Sequence, residues 1–281
     1  MLFLLIAVLL GACIYWLFRY AGNRKLSLFT IILINYPVCV VFGLIHIYVE
    51  VGVLSFNPEI ILWSAIMGLL FISTFNFMAM LTRNESVGTS SIVSRLSMVL
   101  PTLFFFLFYD TEMTLFNWVG LVFAITSVLV LNLKKGQTGF FGWLPLVVFI
   151  GYGFVDIGLQ LAEMRIGHDE LNFHLLSVGI FFFAGLYGLI YKGFKRMKID
   201  RKHLAVGMIL GAINYYSIVF FLLALNKSGF SPSVIFPLNG ILILVLATLG
   251  SILFFREHFS QRKVLALGLA IVAIVLLGGN V

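Results

Sequence analysis

The chain has 281 residues, of which 62% are hydrophobic, 16% aromatic and only 10% charged, and its mean hydropathy is +1.12. Average globular chains are about 45–50% apolar and about 25% charged, so this composition excludes a soluble enzyme on a single anchor. No polar stretch is long enough for a domain of about 50–200 residues, and the net charge of +7 sits in a few short loops, which reads as membrane orientation and not nucleic-acid binding.

In chain order, apolar runs of spanning length fall at 2–18, 28–49, 60–81, 87–108, 115–132, 140–161, 171–191, 204–225, 231–254 and 264–279. At about 20 residues per crossing, ten crossings take about 200 residues and leave only short connections. The runs do not alternate as barrel strands do, so each is predicted to be a helix. Between them stand Gly22-Asn23-Arg24-Lys25, Asn57-Pro58-Glu59, Arg83-Asn84-Glu85-Ser86, Lys134-Lys135-Gly136 and the basic stretch Lys192 to Lys202. Cys13 and Cys39 lie inside apolar runs and are expected to be packing residues.

The connections joining spans 1–2, 3–4, 5–6, 7–8 and 9–10 hold fifteen of the Lys and Arg residues, from Arg19, Arg24 and Lys25 to Arg256, Arg262 and Lys263. The opposite side holds Arg165 and Lys227, and Arg95 lies within a span. By the positive-inside rule the fifteen face the cytoplasm, which places both termini outside a plasma (inner) membrane.

Ser86 to Leu107 overlays Ser228 to Leu249 at an offset of 142, matching Ser86/Ser228, Ser91/Ser233, Leu96/Leu238, Leu100/Leu242 and Leu107/Leu249. Past a short gap, Glu112 and Glu257 take equivalent places. The overlay divides the chain into two five-helix repeats, residues 1–135 and 136–281 of one integral membrane domain. An odd number of spans per half forces the second half to run inverted, a construction common in secondary transporters that bind near mid-membrane.

The string Ser86-Val87-Gly88-Thr89-Ser90-Ser91-Ile92-Val93 runs on to Leu100-Pro101, then to Glu112 and Trp118-Val119-Gly120; Ser228-Gly229-Phe230-Ser231-Pro232-Ser233 leads likewise to Glu257. In these motifs and in its ten spans the chain resembles the EamA-like branch of the drug/metabolite transporter superfamily. The resemblance implies a basket of ten helices that moves small metabolites, often outward. Two features depart from the family pattern. A Gly usually precedes the glutamate after span four, whereas Thr111 and Arg256 precede the two glutamates here. Both termini are usually cytoplasmic, and the loop charges here argue the reverse.

No Gly-rich phosphate loop ends in Lys-Ser or Lys-Thr, so an ion gradient, the solute gradient or the membrane potential must drive any accumulation. No cofactor is expected. A charge at the bilayer centre costs roughly 2.5–3.5 kcal/mol on insertion scales, so each intramembrane polar group is a functional hypothesis. Arg95 lies about 12 Å into span four at about 1.5 Å per residue, near the middle of a hydrocarbon layer about 30 Å thick. Ser91, Ser94, Met98 and Thr102 share its helical face. Its guanidinium suits bidentate binding of an anionic group such as a carboxylate; the alternatives are a permanent internal pair or snorkelling to the interface.

Asp156, central in span six beside Tyr152 and Gln160, is the natural counter-charge. Asn35, Asn76, Asn214 and Asn239 lie in spans two, three, eight and nine, where each either faces a solute or joins helices. Asn35 precedes Tyr36-Pro37 and Asn214 precedes Tyr215-Tyr216. Pro101 in span four, and Pro232 with Pro237 in span nine, free carbonyls one turn earlier and are expected hinges. His168-Asp169-Glu170 and His174 match no familiar metal spacing and read as solvated residues, so no metal is expected.

The expected fold is therefore an all-α polytopic membrane protein of ten transmembrane helices in two inverted repeats. The expected function is that of a secondary transporter or facilitator of a small polar metabolite, an amino acid or similar. It works by alternating access around a site lined by spans two, three, four, six, eight and nine. Its partners are the small-molecule substrate and the lipid bilayer, not nucleic acid, and it is a monomer or homodimer. The competing class is a polytopic membrane enzyme acting on a lipid or lipid-linked substrate, with only the His168 to His174 group to offer at the interface.

Overall fold

A computed structural model of the chain describes residues 1–50, 57–109, 113–132, 142–167, 170–194, 199–227, 232–258 and 260–278. The described residues form eleven α-helices and no strand. These are α1 (Leu2–Asn23), α2 (Leu28–Glu50), α3 (Pro58–Asn84), α4 (Val87–Leu96), α5 (Val99–Phe108), α6 (Leu115–Asn132), α7 (Trp143–Ile166), α8 (Glu170–Phe194), α9 (Arg201–Lys227), α10 (Pro232–Phe255) and α11 (Gln261–Gly278). Among the described residues, eight segments are long and apolar enough to cross a membrane, α4 with α5 counting as one, and Leu115–Val130 of α6 is a shorter apolar helix. The chain is an all-helical polytopic membrane protein.

Several helices run a turn past their apolar stretch. Arg19, Arg83, Lys192, Arg201 and Lys202, read from the sequence as loop residues, are helical, because a helix end at headgroup depth carries charge without leaving its backbone pattern. The starts follow capping chemistry. Asn57 accepts the Ile60 amide at 2.7 Å with Pro58 in the first helical position, Ser86 accepts the Thr89 amide at 3.0 Å, and Asp200 accepts the His203 amide at 2.9 Å.

The prolines behave unequally. Span four breaks at Ser97–Met98, between α4 and α5. Pro101 has no N–H for the Ser97 carbonyl, which accepts instead from Leu100 N at 2.9 Å in a tighter turn. Pro237 lies inside α10, which continues unbroken. Pro232 begins α10; a missing N–H there removes nothing from the ladder, so it is a helix start and not a mid-span hinge.

Lipid offers no hydrophobic drive between helices, so close packing at small residues and polar bonds hold them together. Gly207-Met208-Ile209-Leu210-Gly211 brings α9 onto α2: a Cβ on Gly211 would stand 2.8 Å from the Asn35 carbonyl oxygen, and one on Gly207 3.0 Å from that of Ile31. On the α3–α8 seam a Gly68 Cβ would meet the Ala184 nitrogen at 2.9 Å. α6 and α11 are joined by Ser127 Oγ donating to Ala266 O at 2.7 Å. α1 lies against α9 and α10, and α7 against α3. The main core draws buried residues from α1–α4 and α7–α10, with α4 near its middle.

Candidate functional site

The short helix α4 ends at the Ser97–Met98 break, and Arg95 sits in its last turn. The Arg95 side chain runs against α10, its Cδ 3.9 Å from where a Cβ on Gly240 would stand. Its Nε is buried and has no hydrogen-bond partner. The charge acts on Asp156 and Tyr152 of α7, and Tyr152 in turn lies in electrostatic range of Tyr15 and Tyr36. Side chains from α1, α2, α4 and α7 thus share one polar neighbourhood. Among the described residues no ion pair joins Arg95 to Asp156.

Other buried side-chain atoms, among them Asn35 Nδ2, Thr248 Oγ1, the Tyr36 hydroxyl and Asn239 Oδ1, also have no hydrogen-bond partner. The Tyr36 hydroxyl belongs to a side chain only 1% exposed, and Asn239 Oδ1 to one 9% exposed. Such atoms are uncommon in a folded interior, because a buried polar group normally finds a partner. Asn239 precedes Gly240, the residue of α10 that the Arg95 stem meets.

The other sequence-derived residues divide. Ser94 lies beside Arg95; its hydroxyl donates to Ser90 O at 2.9 Å and meets the Tyr15 hydroxyl at 2.7 Å. Ser91 is wholly buried and donates to Gly88 O at 3.0 Å, within its own helix. Asn76 donates to Ile72 O at 2.7 Å, again within its helix. Asn214 donates to Asn35 Oδ1 at 3.1 Å, with Cys39 beside them, so this pair ties α9 to α2. Gln160 is exposed. Cys13 and Cys39 are free thiols. The His174 ring lies 4.8 Å from that of His46, whereas His168 and Asp169 fall outside the described residues.

Sequence reasoning missed two things. Tyr15 brings span one to the site; a single Tyr in an apolar run of α1 gave no sign of it. The second is a polar knot where α4 begins. Both Glu257 carboxylate oxygens face the Val87 amide, at 3.3 and 3.2 Å. Arg19 Nε stands 2.9 Å from Glu257 Oε1, a charge contact in which the N–H is not aimed at the oxygen. Lys263 Nζ donates to Ser86 Oγ at 3.0 Å. Arg256, before Glu257, has φ +51, a left-handed backbone that suits glycine.

No family model matches the chain. An uncharacterized protein of Haemophilus influenzae is 26% identical over 285 residues, covering 96% of this chain and 95% of its own. A crystal structure of another protein aligns with a TM-score of 0.62 at 14% identity, over 98% of this chain and 94% of that one. At that identity the likeness concerns the fold alone, and it extends over nearly the whole chain.

Proposed function

We propose that this chain is a secondary transporter or facilitator of a small polar metabolite, an amino acid or a similar solute, working by alternating access around Arg95. One observation carries the reading: a guanidinium at membrane depth whose Nε is buried without a partner, although a carboxylate lies within range of its charge. An unsatisfied buried donor costs about 1–3 kcal/mol, and more when charged. A permanent Arg95–Asp156 pair removes that cost, and the protein does not make it. The donors remain available to an anionic group that arrives and leaves, and a fork-shaped guanidinium takes a carboxylate bidentately. Asp156 balances the charge of the empty site, while Tyr36 and Asn239 offer a hydroxyl and an acceptor.

The same proposal includes ten spans in two inverted halves, and the packing supports it. With α4 and α5 taken as span four, a twofold axis in the membrane plane exchanges spans 1 and 6, 2 and 7, 3 and 8, 4 and 9, and 5 and 10. The α3–α8 packing then becomes that of α9 on α2, and α1 on α9 becomes α7 on α3. The α6–α11, α2–α8 and α4–α10 contacts map onto themselves. Such inverted repeats place a site between the halves. This construction, with the Ser86–Glu112 motif, is also what the EamA-like resemblance implies. The ends of α1 and α3, the start of α4 and the α10–α11 connection meet through Arg19, Arg83 and Lys263. Gathered basic residues of this kind support a cytoplasmic orientation for that end, in the plasma membrane.

A thermal-shift screen of the purified protein against amino acids, purines, sugars and polyamines tests the reading. A solute that stabilises the wild type but not Arg95→Ala identifies ligand and site together. Solutes that stabilise both proteins equally place binding elsewhere and refute it.

A further inference from the structure

We infer that the Glu257 carboxylate is the latch of a gate on the basic face of the protein, holding the start of α4 against the second half of the chain. The inference rests on the carrier reading above and adds its gate. α4 is a ten-residue helix with distinct ends: Val87 at the first, Arg95 at the second, and the Ser97–Met98 break just beyond. A short rigid helix with a break at one end and a tether at the other is a lever.

The tether crosses between the halves. Ser86 Oγ is taken up with the Thr89 amide, so the Val87 amide is an orphan donor that Glu257, from the α10–α11 connection, meets with both oxygens. A carboxylate there also complements the positive end of the helix dipole. The Glu257 side chain is only 4% exposed, and Arg19 and Lys263 flank it from α1 and α11. Arg19 Nη1 also donates to the last carbonyls of α3, at 2.9 Å to Arg83 O and 3.3 Å to Thr82 O. One carboxylate thus closes a seam among α1, α3, α4 and the start of α11. For a solute to reach Arg95 from this face, the halves must part here. A polar knot suits that task, because each of its bonds is exchangeable for water once the seam opens. The left-handed backbone at Arg256 aims the carboxylate at the seam and holds a strained residue beside it.

The test uses the full chain in sealed proteoliposomes, with Asn239→Cys as reporter in a Cys13→Ala/Cys39→Ala background. A membrane-impermeant thiol reagent is added from one face at a time, with Glu257 intact and as Glu257→Gln. A minor open state of about 0.1–10% leaves room for a rise of about tenfold in labelling rate. Glu257→Gln is expected to show that rise from the basic face and a fall from the other, and Glu257→Asp to return both toward the starting rates. Arg19→Gln, which leaves the carboxylate on Val87, is the second variant and is expected to shift rates the same way. Unchanged rates from both faces in either folded variant make the knot a static staple and overturn the latch, leaving the carrier reading intact. Labelling from neither face in any variant overturns the carrier reading and the latch with it.

Discussion

Gly211→Ala tests the close approach of α9 to α2. The added Cβ would stand 2.6 Å from Val38 Cβ and 2.8 Å from the Asn35 carbonyl oxygen, one of them backbone that cannot rotate away. Ordinary contact begins near 3.4 Å, so the helices must separate by several tenths of an ångström along a seam that also carries the 3.1 Å Asn214–Asn35 bond. Overpacking of this kind costs about 1–3 kcal/mol, and a weakened interhelical bond adds about 0.6. Alanine returns about 0.5–1 kcal/mol of helix propensity. The net loss is about 0.5–3 kcal/mol, and at about 2–4 °C per kcal/mol the melting temperature falls by several degrees. Gly268 of α11 has nothing within 4 Å of its would-be Cβ, so Gly268→Ala is expected to raise the melting temperature by a few degrees from propensity alone. Thermal unfolding in detergent, followed by tryptophan fluorescence, reads both. A Gly211→Ala protein that melts at or above the wild type refutes the packing argument.

Arg256→Gly is expected to preserve the fold and gain up to about 1 kcal/mol by relieving the left-handed residue, whereas the β-branched Arg256→Val loses stability; thermal unfolding separates them. Pro101→Ala restores a donor to the Ser97 carbonyl, so it is expected to join α4 to α5, raise the melting temperature and slow solute exchange by stiffening the lever. The backbone amide of His203 holds the Asp200 carboxyl below its ordinary range, aided by the His203 ring. A carboxyl lowered in the folded state stabilises above its unfolded value, near pH 4, and loses that contribution as pH falls through the folded one. Asp200→Asn is therefore expected to lose the carboxylate's small contribution at neutral pH and so flatten the acid side of the stability profile, most visibly in amide exchange at the start of α9.

The helices were legible because length and apolarity are local properties: each apolar run coincides with a helix, the fourth divided between α4 and α5, and the breaks read at Asn57-Pro58 and Ser86 hold the caps of α3 and α4. What the polar residues do was not legible, because it depends on partners far along the chain. Asn35, Asn76, Asn214 and Asn239 look alike in sequence. Yet one bonds its own helix, two bond each other across 179 positions, and one keeps an unpartnered oxygen. The prolines differ too: the span of Pro101 breaks at Ser97–Met98, while α10 continues through Pro237. Glu257 was visible as a repeat-equivalent residue, but its partner Val87 lies 170 positions away, and nothing local points there.

The central claim is that the unpaired guanidinium of Arg95 receives the solute. Its most direct test is counterflow of a thermal-shift hit in proteoliposomes, comparing wild type, Arg95→Lys and Arg95→Ala at equal amounts of folded protein. The account predicts loss of exchange in Arg95→Ala and severe impairment in Arg95→Lys, which keeps the charge but lacks the two-pronged geometry. Exchange by Arg95→Ala at the wild-type rate would contradict it.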